Sequence, residues 1–371
     1  MSSEDFQIRC TLKQHTPLIH FQHDQQGATL RATELKPKLD SFLLEREPNL
    51  ATLPQHSNAL NYKVRIDANP TFEAIEKPNP RNPKKIISNP LFFGNMGNGP
   101  KKKFSISDTV TLTFTSFDKK ILQAIEEHIE SFFAVTNFGT RQSKGFGSFY
   151  PEGKAFNPAY VDRNRYTKVY RFKASRKNYQ EYIRLFYAFL RTGINDFNFR
   201  KQTSSFYTKP ASFLFAEKHG WVWDKKAIKA ELLGIAKKDE KEKYRLIRDI
   251  FGLSSEQLWL TYNKETIIKR HASIDRFKSP IFFKPIQNKD VMEIYFFAEK
   301  DIEPILSQTF EIKTKKGHKK MTLKTPNHFD MEAFLEFAVT LNLERIVEPE
   351  YHNARSYNIL NQILKEARSM V

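Results

Sequence analysis

The chain has 371 residues, room for two or three domains of roughly 100–200 residues each and for a sizeable core. Its 60 Lys and Arg against 42 Asp and Glu leave a net charge of +18, and 33 Phe exclude a disordered or collagen-like chain. The single cysteine, Cys10, can form neither an internal disulfide nor a Cys-based zinc site, so packing alone is expected to hold the fold. No run approaches the roughly 18 apolar residues of a membrane span, and the start Met1-Ser2-Ser3-Glu4-Asp5 is acidic where a secretory signal is basic, so a cytoplasmic protein is expected.

Residues 6–12 alternate apolar and polar side chains and predict a strand with one buried face. From residue 28, Leu30, Leu35, Leu39, Phe42 and Leu43 recur at helical spacing despite Pro37, and residues 62–66 predict a second strand. Between residues 69 and 100 lie Pro70, Pro78, Pro80, Pro83, Pro90 and Pro100 with three glycines, which predicts an insertion loop or flap. Residues 108–115 alternate strictly at Val110, Leu112 and Phe114, and residues 121–135 set Ile121, Ile125, Ile129, Phe132 and Phe133 on one stripe: a strand followed by a helix. Residues 168–173 and 179–190 repeat that order. Residues 224–251 predict a charge-rich helix, residues 281–285, 292–297 and 310–313 strands, and residues 331–341 and 357–368 helices. The recurrence of strand then helix predicts two related α+β halves, 1–155 and 156–371.

A basic field attracts polyanions, and here the cations cluster: Lys84-Lys85, Lys101-Lys102-Lys103, Arg163 with Arg165, Arg176-Lys177, Arg200-Lys201 and Lys225-Lys226. Several clusters adjoin rings, as where Phe104 follows the triple lysine and Tyr166 follows Arg165. Phosphate neutralisation beside stacking rings is the requirement of single-stranded nucleic-acid binding; any one cluster reads first as a solvated face, and the set as a whole points to nucleic acid.

The densest motif is the run from Phe138 to Phe149, in which Gly139, Gly145 and Gly147 permit positive φ and close approach. Its glycine spacing fits neither a dinucleotide fingerprint nor a P-loop. Read for function, its backbone amides cradle a phosphate, Arg141 and Lys144 supply charge, and Phe146 packs beneath the loop or stacks on a base. Read for structure, it is a tight turn feeding a strand at Phe149-Tyr150.

This glycine-rich loop after a helix resembles that of the RAMP superfamily of type III CRISPR-associated proteins. Gln14 to Ile19 followed by Ala28 to Lys36 is similar to the opening strand, loop and first helix of such proteins, and Asn89 to Gly94 ahead of Phe104 to Asp108 to the passage leading into their core strand. The run Arg276 to Ile286 is similar to the second-domain motif of the Cmr subunit at the guide's 3′ end in type III-B complexes; by composition alone it is either a strand with Arg276, Lys278 and Lys284 at its mouth or on one face, or a core strand with solvated ends.

The resemblance implies an α+β chain of two ferredoxin-like (RRM-like) domains with helical insertions. It also implies a non-catalytic RNA-binding subunit of an antiviral effector, partnered by guide RNA (crRNA), target RNA and other Cmr subunits. The expected RNA contacts are Gly139, Arg141, Lys144, Gly145, Phe146 and Gly147 in the loop, with Lys101, Lys102 and Lys103. Arg31, Lys36, Arg276, Lys278 and Lys284 complete the set, and no cofactor or metal is expected. The competing reading is a metal-independent endoribonuclease processing CRISPR transcripts, with His15, His20 or His23 as acid and base.

Overall fold

A computed structural model describes residues 6–19, 29–52, 59–79, 82–88, 103–198, 203–235, 243–259 and 265–368. The chain divides into two compact units, the first being Met1–Asp162, Lys173–Glu181 and Phe283–Tyr295, and the second Arg163–Phe172, Tyr182–Phe282 and Phe296–Val371.

The first unit opens with β1 (Gln7–Gln14), β2 (Leu18–Ile19), α1 (Ala32–Arg46), β3 (Lys63–Ala68), β4 (Thr71–Ala74), β5 (Glu76–Asn79) and β6 (Asn82–Ser88). It continues with β7 (Lys103–Ile106), β8 (Thr109–Thr115), α2 (Lys119–Val135) and β9 (Phe149–Pro151). Its main sheet has the order β3-β8-β1-β9. All three pairings are antiparallel, with Gln7 opposite Thr115 and Lys13 opposite Thr109 between β1 and β8. A strand–helix–strand–strand–helix–strand chain whose strands lie in the order second, third, first, fourth is the ferredoxin-like arrangement. The pattern in β8 explains its place, because Val110, Leu112 and Phe114 are fully buried on one face while the threonines between them are partly exposed.

The Asp118 side chain caps α2 by accepting from the Lys120 amide at 2.9 Å, and Ile121, Ile125, Phe132 and Phe133 form its buried stripe. Cys10 sits half-buried in β1, and burial pushes its thiol up to about 11. In the described part of the expected flap, residues 69–79 and 82–88, the chain forms strands. β4 pairs with β7 in the small sheet β2-β7-β4, and β5 pairs with β6 as a hairpin in which Lys77 lies opposite Ile87. Prolines fit here because these are short strands in two- and three-stranded sheets, where few amide donors are needed. The Asn89-to-Gly94 stretch lies outside the described residues.

Next come β10 (Tyr170–Ser175), α3 (Tyr179–Arg191), β11 (Ile194–Asn198), β12 (Thr203–Thr208), α4 (Ala211–Lys218), β13 (Val222–Trp223), α5 (Asp224–Glu231), β14 (Tyr244–Arg245), α6 (Ile247–Ile250), β15 (Leu253–Ser254), β16 (Glu256–Trp259) and β17 (Glu265–Arg270). They are followed by β18 (Arg276–Phe277), β19 (Ile281–Asn288), β20 (Val291–Ala298), β21 (Thr309–Thr314), β22 (Lys320–Lys324), α7 (Met331–Thr340), α8 (Leu343–Ile346) and α9 (Arg355–Arg368). The larger sheet of the second unit runs β13-β14-β22-β21-β17-β16, and a separate sheet runs β10-β20-β19. In the second unit Phe186 meets Phe172 edge-on at 5.8 Å and Phe296 at 4.8 Å, and all three rings are fully buried.

The predicted helix over 224–251 is a departure: among its described residues only α5 and the single turn α6 are helical. Gly234 takes φ +67 after α5, and β14 enters the sheet by pairing parallel with β22, Arg245 opposite Lys324. At Tyr244 and Arg245, tertiary strand pairing overrides local helical propensity.

Candidate nucleic-acid interface

Beyond α2 the chain doubles back between Asn137 and Ser148, which bridge antiparallel, and the Phe138 amide donates to Gly147 O at 3.0 Å. Gly139, Gly145 and Gly147 have φ of 75°, 80° and 62°, and Arg141 joins them at 62°. A Cβ on Gly147 would lie 2.0 Å from Phe138 O, so glycine is obligatory there.

The glycine amides of this loop point inward. Gly139 N donates to both carboxylate oxygens of Glu34, at 3.0 and 3.2 Å. Thr140 N donates to Ile19 O, Gly145 N to Gln142 O and Gly147 N to Pro17 O, at 2.9, 3.1 and 2.9 Å. Thr16 Oγ1 closes the turn, accepting from Ser148 N at 2.9 Å and donating to Gly145 O at 2.7 Å. The expected amide cradle is therefore corrected, because these three glycine donors are already spent within the protein.

A polar clasp fixes the loop to α1. Glu34 also accepts from Gln142 Nε2 at 3.0 Å and from Lys38 Nζ at 2.8 Å. Lys38 Nζ donates in addition to Asn137 O and Gln142 Oε1, at 3.2 and 3.0 Å. Sequence reading missed Glu34, Lys38, Gln142 and Thr16. The one available signal was the Glu34–Lys38 spacing of four on a helix, since the other partners are about 100 residues away.

Several expected contacts prove to be interior. Phe146 is buried and stacks on Phe104, centroids 6.1 Å apart, in a cluster with Ile19 and Ile75, so it is a core ring and offers no face to a base. Lys144 is buried. Lys36 donates to Asp40 Oδ2 at 2.9 Å and Leu60 O at 2.7 Å, with its ammonium 3.8 Å from the Tyr62 ring centre. Lys284 is fully buried and donates to Thr136 O, Asn137 Oδ1 and Phe149 O, at 3.0, 3.2 and 2.9 Å. Burial pushes its pKa well down, and three acceptors matched to the three donors of an ammonium oppose that. Phosphate contacts by Lys144, Lys36 and Lys284 are corrected on these grounds: each side chain is committed to the interior or to nearby oxygens.

The remaining loop-side candidates face outward. Arg141 is exposed at the turn, Arg31 is the half-buried N-cap residue of α1 one turn before Glu34, and Lys103 is exposed at the start of β7. β2 links the last of these to the loop, since Ile19 accepts from Thr140 N and pairs with Phe104, the neighbour of Lys103. In the second unit Arg276 is exposed on β18 and Lys278 is exposed, paired with Glu299 at 3.0 Å. Lys101, Lys102, His20 and His23 lie outside the described residues. His15 Nδ1 accepts from the Gln287 amide at 2.9 Å, and burial, then Lys284 and Lys13, lower its pKa to about 3.

Family models for the Cmr1 N-terminal domain and the Cmr1 C-terminal domain match residues 5–194 and 207–365. The chain belongs to the Cmr1 family. Cmr1 proteins are RAMP subunits of type III-B CRISPR effectors, which assemble from several Cmr subunits, so the expected superfamily and complex are met. The crystal structure of apo Cmr1 from Pyrococcus furiosus aligns over 92% of this chain and 97% of that one, with 9% identity and a TM-score of 0.41. No curated protein matches. Among the described residues no helix is long and apolar enough to cross a membrane.

Proposed function

We propose that this Cmr1-family chain binds RNA in the cytoplasm as a non-catalytic subunit of the effector, engaging the guide's 3′ region or the target RNA beside it. The carrying observation is Arg141: an exposed guanidinium held at φ 62°, where non-glycine residues are uncommon, by a loop clasped to α1. Because the three glycine amides are spent, the proposed contact is made by side chains, with Arg31 and Lys103 as the flanking cations. A net charge of +18 supplies the long-range attraction.

The non-catalytic reading draws on His15, whose Nδ1 is occupied and whose imidazole stays neutral down to about pH 3, so at neutral pH it is not the imidazolium that general-acid catalysis requires. The test is filter binding of single-stranded RNA over a salt series. Arg141→Glu and Lys103→Glu should each weaken binding across sequences and flatten the salt dependence by about one unit of slope per lost phosphate. An unchanged slope removes the loop from the interface. Site-specific cleavage of labelled repeat RNA in EDTA, lost on His15→Ala, would overturn the non-catalytic reading.

A further inference from the structure

All three tryptophans of the chain, Trp221, Trp223 and Trp259, line one cleft built wholly within the second unit. The cleft encloses about 1030 Å³, at the upper end of the roughly 300–1,000 Å³ common for small-molecule sites. Its cations are Lys209, Lys225, Lys226, Lys229 and Arg248, against one carboxylate, Glu217, among the described lining residues.

The local sequence explains this composition. The run Trp221-Val222-Trp223-Asp224-Lys225-Lys226 carries two indoles through β13 directly into α5, and spacing of four places Lys225 and Lys229 on one face of that helix. At the base, Arg248 is buried and bonded through two nitrogens to the buried Asp224 carboxylate. Its guanidinium lies 6.0 Å from the Trp223 ring centre and 5.9 Å from that of Trp259, which fixes both rings around a neutralised floor. Tyr207, 45% exposed, stands at the rim with Lys209.

We infer that this cleft binds a nucleoside phosphate, the base against the exposed Tyr207 ring and the half-buried Trp221, over a wall backed by the buried Trp223 and Trp259, and the phosphate at the α5 lysines. Flat apolar walls alone would suit many ligands, and lysines alone would suit any anion. The pairing of several rings with several ammonium groups selects a ligand that is both aromatic and anionic. Burial, then repulsion from Arg248, lowers the Lys225 pKa to about 8 while Asp224 opposes the shift, so an anion bound beside Lys225 would favour its charged form. This site is distinct from the loop interface proposed above, and its ligand is either a free nucleotide or one residue of a single strand.

Because no tryptophan lies elsewhere, intrinsic indole emission reports on this cleft alone. The emission is titrated with AMP, with a short oligo(A) strand and with ribose 5-phosphate, which lacks the base. Saturable quenching is expected with AMP or the strand, at an affinity at least about fivefold above ribose 5-phosphate, since stacking one base contributes about 1–3 kcal/mol. Tyr207→Ala and Lys226→Glu should each weaken that binding about tenfold without shifting thermal unfolding. Tighter binding of the strand assigns the source to a nucleic acid; equal or tighter binding of AMP assigns it to a free nucleotide. No saturable change, equal affinity for ribose 5-phosphate, or indifference to both substitutions overturns the inference. Arg141→Glu serves as the separating control: it leaves the AMP titration unchanged whether or not the loop binds RNA.

Discussion

The Glu34 carboxylate receives the Gly139 amide on both of its oxygens, at 3.0 and 3.2 Å, tying the first turn of α1 to the start of the glycine-rich loop. Hydrogen bonds to a charged acceptor contribute about 1.5–3 kcal/mol, less where solvent reaches them, and the Glu34 side chain is 25% exposed. Glu34→Ala should therefore lower stability by about 1–2 kcal/mol in urea unfolding and speed hydrogen exchange at the Gly139 amide. Glu34→Gln, which keeps an acceptor, should recover part of the loss. Unaltered exchange at Gly139 in the alanine variant would show that the clasp does not hold the loop.

Two glycines with similar φ separate steric cost from conformational cost. Gly153 has φ +75° with nothing within 4 Å of an added Cβ, whereas a Cβ on Gly147 would meet Phe138 O at 2.0 Å. Left-handed backbone at a non-glycine residue costs about 1–3 kcal/mol. Gly153→Ala should stay within that range, and Gly147→Ala should exceed it, because a main-chain oxygen cannot swing aside as a flexible side chain does. Equal shifts in melting temperature for the two variants would contradict this geometry.

How much of this was legible beforehand follows the range of the interactions. β8 and α2 declare themselves because Val110, Leu112 and Phe114 alternate and Ile121, Ile125 and Phe132 keep helical period, both local patterns read by one buried face. The positive φ of the loop glycines was equally readable from residue type. The direction of the loop's amides was not: their acceptors, Glu34, Ile19 and Pro17, lie about 100 residues earlier, and no local pattern encodes them. Lys284 failed for the same reason, since its flanking Pro280-Ile281-Phe282-Phe283 suggests a solvated strand end while its partners come from Thr136, Asn137 and Phe149. The Trp cleft was half visible, its basic Lys225-Lys226 pair noted but its third indole, Trp259, supplied by a distant strand.

In the second unit Lys269 and Asp249 form an ion pair in which both side chains are completely buried, with Gln257 Nε2 3.5 Å from the carboxylate. Burial lowers the Lys269 pKa, and Asp249 acts to restore it. Removing one partner strands a charge, at about 3–5 kcal/mol, while replacing both with apolar groups of similar size is often neutral. Lys269→Met alone should therefore be severely destabilising, and adding Asp249→Leu should return most of the loss. A double variant as unstable as the sum of the two singles would mean that the pair is not coupled.

His15 gives the first unit a pH-dependent contribution whose sign is fixed by geometry. Its Nδ1 accepts the Gln287 amide, so protonating that nitrogen sets two donors against each other, and burial together with Lys284 and Lys13 holds the folded-state pKa near 3. An unfolded histidine titrates near 6.5. Between those values the unfolded chain binds the extra proton, so this stabilisation is complete above about pH 6.5 and is lost progressively toward pH 3. The limiting slope for one proton is about 1.4 kcal/mol per pH unit. Urea midpoints for the native chain should fall as pH drops from 7 to 4. In His15→Gln, which supplies an oxygen acceptor without a titrating ring, the decline should be shallower by up to that slope; identical pH profiles would show that His15 protonates freely in the folded protein.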